Sequence, residues 1–154
     1  MGYCSIEDVK DLVKDNLFNA ILGDEYIDED DAEAMEKREE NINLLIENAI
    51  TDADAEINGY LSKRYKLPFQ DPPAVLKKFS KDIAAYNLVS RIGIDEQDRD
   101  KTYLNRYNAA IKFLTMVAEG KIDIGAYTPE VNSAVGFRMN SSNRIFSRDS
   151  MRGW

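Results

Sequence analysis

Ile42, Leu45, Ile46, Ala49, Ile50, Ala53, Ile57, Tyr60 and Leu61 recur at steps of three and four, with polar residues between them. That period gathers the apolar groups on one face of a helix, so it predicts a long amphipathic helix through this stretch. Gly59 falls inside the pattern at a cost of about 1 kcal/mol relative to alanine, which points to a close packing contact there. Leu67, Pro68 and Phe69 break the helix, and Pro72-Pro73 presets the start of the next, because proline in a first turn gives up no needed N–H. That next helix is expected from about Pro73 to Ile92, with Leu76, Phe79, Ile83, Ala84, Tyr86, Asn87 and Leu88 facing largely inward and Gly93 ending it. Tyr103, Tyr107, Ala110, Ile111, Leu114, Val117 and Ala118 form the stripe of a further helix, closed by Gly120.

Near the N-terminus Ser5 is followed three residues later by Asp8 and then by Val9, Leu12 and Val13. This is an acidic variant of the capping box, and it predicts a short helix from about Ser5 to Val13. Leu17, Phe18, Ile21 and Leu22 either extend that helix or pack as a separate turn before Gly23 stops it. Beyond Gly120 the helical period disappears and Gly, Ser, Asn and Arg become frequent. Lys121 to Gly125 reads as a short extended piece. The expected fold is all-α: a small bundle of about four helices in residues 1–120, with an extended C-terminal arm in 121–154 and room for one short strand.

Charge adds a second division. The 154-residue chain has a formal net charge of -8, so its average surface repels nucleic acid, whose affinity for proteins rests on neutralised phosphates. Most of the excess lies between Asp24 and Glu40, where ten acids stand against Lys37 and Arg38 alone. Asp28 and Asp30 alternate as in a calcium loop, but Ala32 follows and no glycine occupies the sharp turn that such a loop needs. The segment is better read as a solvated acidic loop, 24–40, running into the first turn of a helix, where negative charge meets the positive end of the macrodipole.

Little enzyme chemistry is available. The chain contains no histidine, which removes the commonest general base and the commonest zinc ligand. Its one cysteine, Cys4, has no partner for an intrachain disulfide and no imidazole to activate it, and reads as a small, partly buried group beside the first helix. No catalytic, cofactor-binding or metal-binding residue is assigned. With no apolar run long enough to span a bilayer and no basic-then-apolar leader, the expected compartment is the cytoplasm.

The end of the chain carries the candidate interaction site. After Gly120 the cations Lys121, Arg138, Arg144, Arg148 and Arg152 outnumber Asp123, Glu130 and Asp149, giving a local charge of +2 against -10 for the rest. Arg144, Ile145, Phe146, Arg148, Met151, Arg152 and Trp154 mix positive charge with large apolar groups up to the last residue. Burying Trp154 is worth about 4 to 6 kcal/mol, whereas fixing ten backbone residues costs about 10 to 20 kcal/mol. An ordered arm therefore needs a partner along its length, for which arginine and tryptophan are well suited. The alternatives are an arm folded back on its own acidic body and an arm without fixed structure.

The order of certain short runs resembles one family. They begin near Tyr3-Cys4 and continue through Ala49-Ile50, Asp52-Ala53, Glu56-Ile57, Gly59-Tyr60-Leu61, Arg64-Tyr65, Leu67-Pro68 and Pro72-Pro73. Asp82-Ile83-Ala84, Tyr86, Leu88, Arg91, Tyr107, Ala110, Leu114 and Gly120-Lys121-Ile122 follow, and Arg144, Phe146, Ser147-Arg148, Met151 and Gly153-Trp154 close the pattern. In this the chain is similar to the head-completion or head-tail connector (adaptor) proteins of Mu-like phages and prophages. The resemblance implies a structural virion protein that forms a ring, dodecameric in the virion, below the portal, with DNA passing through its centre and no sequence-specific grip. The implied partners are further copies of itself, the portal protein and a downstream neck or tail protein. The implied location is the host cytoplasm during assembly and then the head-tail junction. The competing reading is a cytoplasmic helical interaction or regulatory module, associated with nucleic acid through its basic arm.

Overall fold

The computed structural model describes residues 2–23, 32–93 and 100–126. Five helices follow in chain order: α1 (Ile6–Lys10), α2 (Asp15–Leu22), α3 (Ala32–Leu61), α4 (Ala74–Val89) and α5 (Asp100–Ala118). At 30 residues α3 runs about 45 Å and is the spine. Helices α4 and α5 pack on it and on each other, and α1 lies across α3 and α4. The predicted apolar stripe of α3 is the face that does this, since Ile46, Ala49, Ile50, Ala53, Ile57 and Leu61 are all buried. They meet Leu76, Ile83, Ala84 and Leu88 of α4 and Ala110, Leu114 and Val117 of α5 in one continuous core. Two aromatic pairs line the α4–α5 seam: Phe79 with Phe113 at 4.8 Å between centroids, and Tyr86 stacked on Tyr107 at 4.2 Å.

Among the described residues there are five helices where about four were expected, because the N-terminal pattern divides. Ser5 caps α1 in a complete box with Asp8, but the helix stops after Lys10 and the chain turns until α2 begins at Asp15. Val13 and Phe18 are each only 3% exposed. In one uninterrupted helix they would point about 140° apart, so only a break lets both reach the same core. Gly23, at φ 86°, ends α2.

Four further expectations need correction. Among the described residues there is no strand, and Lys121–Gly125 is irregular: the Lys121 and Ile122 N–H groups donate back to the Met116 carbonyl, and the Ile122 carbonyl accepts from Arg64. Those groups cap α5 and have no sheet edge to join. Gly59 has no close neighbour among the described residues, where a Cβ built on it would meet nothing within 4 Å. The acidic stretch is not all loop, because residues 32–40 already belong to α3, with Glu33 in its first turn; residues 24–31 lie outside the described residues. Helix α4 ends at Val89, short of Ile92, and tight i to i−3 bonds from Arg91, Ile92 and Gly93 carry the chain out of it. Among the described residues no helix is long and apolar enough to cross a membrane.

Candidate functional site

Two polar junctions tie the chain's flanking segments to the bundle. At the first, Asp54 of α3 accepts from the Tyr3 backbone N–H at 2.9 Å and from the Ser80 hydroxyl of α4 at 2.7 Å. Ser80 is fully buried, so this carboxylate satisfies a hydroxyl that would otherwise lose water without compensation. The Tyr3 hydroxyl donates to Asn58 Oδ1 at 2.5 Å. Cys4 lies beside this junction, its Sγ 3.2 Å from Ser80 Oγ. Burial pushes its thiol pKa up, only partly offset by Ser80, the opposite of what a nucleophile requires.

One turn further out, Asp8 joins α1 to α4 through Lys77 at 2.8 Å. Hydrogen bonds from Lys77 and from the Ser5 side chain and backbone hold the Asp8 carboxyl far below the usual carboxylate range. The same contact raises the Lys77 ammonium pKa.

The second junction anchors the segment leading to the C-terminal arm. Arg64, just past the end of α3, donates from Nη1 to the Val117 carbonyl at 2.9 Å and to the Ile122 carbonyl at 3.1 Å. It thereby satisfies a last-turn carbonyl of α5 and fixes the chain that follows. Gly120 makes the turn at φ 81°, with the Arg64 guanidinium 3.7 Å from where its Cβ would be. The Tyr65 hydroxyl lies 3.3 Å from Asp123 Oδ1, which also accepts from the Gly125 N–H at 2.7 Å. The chain leaves the described region at Gly125 and Ala126, in a shallow groove shared with Leu67, Pro68 and Phe69; the Leu67-Pro68 bond is cis.

A third cluster marks the surface seam of α4 and α5. Asp82 is nearly buried, and burial raises its carboxyl pKa, opposed by Arg106, Lys78 and Lys81. Arg106 Nη1 lies 3.7 Å from Asp82 Oδ1, and Lys78 Nζ sits 5.1 Å above the Phe79 ring. Nearby, the Tyr107 hydroxyl donates to Glu56 at 3.0 Å, and burial together with that carboxylate pushes its pKa up to about 12.

The sequence-based interaction residues Arg144, Ile145, Phe146, Arg148, Met151, Arg152 and Trp154 lie outside the described residues. The two junctions were not anticipated as such. Arg64 and Tyr65 stood in the family pattern without a role. Asp54 carried a readable signal, being an acid four residues after buried Ile50 and three before buried Ile57, at the margin of the apolar stripe. Among the described residues no group of three or more cysteines and carboxylates could hold a metal ion, and no arrangement above joins a nucleophile to a base.

The comparisons with known proteins converge. A family profile described as Bacteriophage Mu, Gp36 matches residues 3–141, a span that takes in both junctions and stops just before Arg144. The chain is similar to the Mu-like prophage FluMu protein gp36 of Haemophilus influenzae, at 32% identity over 111 residues, covering 71% of this chain and 74% of that protein. It is also similar to Gene product J of Escherichia phage Mu, at 31% identity over 109 residues, covering 68% and 72% respectively.

Proposed function

This chain belongs to the bacteriophage Mu Gp36 family, and from that premise we propose that it is a structural virion protein, a head-tail connector that forms a ring below the portal through which DNA passes. Family membership is the observation that carries the reading. Its physical support is the contrast between a packed helical body and a terminal segment whose point of departure is fixed by Arg64 and Tyr65. A ring subunit needs both a rigid body and a reach toward a neighbour, the portal or the next tail protein. The net charge of -8 suits a conduit, since phosphates should slide past it without being held.

The test is electron microscopy of the intact protein mixed with the portal protein of its own phage. The expected result is a ring seated coaxially on the portal. Removing residues 127–154 should abolish that complex while leaving the helical circular-dichroism spectrum intact. A portal that stays bare at micromolar protein, or phage particles that package DNA and join tails without this protein, would overturn the reading.

A further inference from the structure

The outward face of α3 is unusual for a helix whose inward face is so regularly apolar. Glu33, Glu36, Glu40 and Glu47 are all exposed along it, with Lys37 the one cation among them. At its centre stands Leu44, 58% exposed, with Glu40 one turn before it and Glu47 one turn after. Thr51, Ala55 and Gly59 continue the same stripe toward the C-terminal end, all exposed. Gly59 costs helix stability, and among the described residues nothing approaches it closely enough to explain why a larger residue is absent. This face therefore combines negative charge, one uncovered apolar anchor and a run of small side chains that lets another surface come close.

The α4–α5 seam has the opposite character. Lys78 and Arg106 are exposed and Lys81 is half-exposed, while the acid they surround, Asp82, is itself nearly buried. The surface offered there is cationic, and the aliphatic stems of its long side chains can cover an apolar group.

We infer that the Leu44 face of α3 docks on the Lys78–Lys81–Arg106 seam of a second copy of this chain. The inference rests on the ring reading above and assigns the two surfaces that would meet in it. Two α3 faces set against each other would bring acid to acid, and two seams cation to cation, so a two-fold pair that sets either face on itself is disfavoured. Joining one unlike pair of faces at each contact is head-to-tail association, the mode from which rings are built.

Sedimentation velocity of the full chain at low salt tests this with two variants. One is Glu40→Lys with Glu47→Lys; the other is Lys78→Glu with Lys81→Glu, or Arg106→Glu should that pair fail to fold by circular dichroism. The wild type should self-associate, and each variant alone should do so at least about tenfold more weakly, because like charges now face each other. An equimolar mixture should regain association, since the reversed face of each variant matches the corresponding face of the other. Leu44→Ser should weaken association without changing its salt dependence. Variants that associate as the wild type does, or a mixture that does not recover, would overturn the assignment. So would a wild type that stays monomeric at every concentration, although a ring seen on the portal would then still uphold the connector reading. Duplex DNA retained by the wild type and released by the Lys78 variant, with self-association untouched, would assign the seam to phosphate instead.

Discussion

The two ends of the described chain are fastened to the same bundle by different chemistry. At the N-terminal junction the acceptors are side-chain carboxylates, Asp54 and Asp8, which receive a backbone amide, a hydroxyl and an ammonium. At the C-terminal junction the main donor is the guanidinium of Arg64, and its acceptors are backbone carbonyls. The first junction gathers donors from separate elements onto carboxylates, whereas the second spreads one guanidinium over the end of a helix and the chain beyond it. Beside the first junction the Asp8 carboxyl is held well below the usual range by Lys77 and Ser5, so the fastening of α1 to α4 weakens in acid.

The largest expected effect separates the junctions directly. Asp54→Ala removes one acceptor from two donors and leaves the buried Ser80 hydroxyl only the weak acceptor Cys4 Sγ, so it should cost about 2 to 3 kcal/mol in urea unfolding, with Asp54→Asn recovering part of the loss. Arg64→Leu should cost about 1 to 2 kcal/mol, because its site is more open to water that can replace the lost bonds. Amide-exchange protection should then fall around 121–126 and not around Tyr3. Equal loss at both ends in either variant would show that the junctions are one unit.

Gly59→Ala, on the spine between the junctions and contacting neither, should stabilise the protein by about 0.5 to 1 kcal/mol through helix propensity alone. A destabilised Gly59→Ala monomer would reveal an intrachain contact that this structure lacks.

The smallest effect is the pH dependence. Asp8 has its pKa depressed in the folded state, so its contribution is present above about pH 4 and is lost as acid protonates it below that. Lys77 has its pKa raised, so its share is present below about pH 10.4 and is lost as pH climbs through the higher folded value. Tyr107, held neutral up to about 12, adds a loss of stability from about pH 10 upward, where the unfolded chain ionises and the folded one does not. In Lys77→Met the acid limb of the stability profile should flatten, since Asp8 loses its main partner; an unchanged limb would assign acid sensitivity to other carboxylates.

Much of this architecture was legible in residue order, because burial of a helix face repeats at a fixed step. The stripes of α3, α4 and α5 are the buried faces, and Ser5 and Asp8 form the predicted cap. The break between α1 and α2 is not fixed by residue order, because apolar residues at Val13 and Phe18 fit either one helix or two until the position of the core is known. The Lys121–Gly125 piece reads as extended for a related reason: loss of helical period is compatible with a strand, and only the tertiary structure shows its first amides turning back to Met116 and its Ile122 carbonyl held by Arg64.

The sequence by itself determined the helices, the core-facing residues, the segregation of charge and, through its family pattern, the kind of protein this is. These are properties of near neighbours in the chain or of totals along it. Tertiary structure alone decided that Asp54 meets Tyr3 and Ser80, and that Arg64 reaches Val117 and Ile122. It also left Gly59 and Leu44 uncovered. Contacts between residues more than twenty positions apart depend on how helices cross, and that is set by the packing of whole faces, which no local pattern encodes.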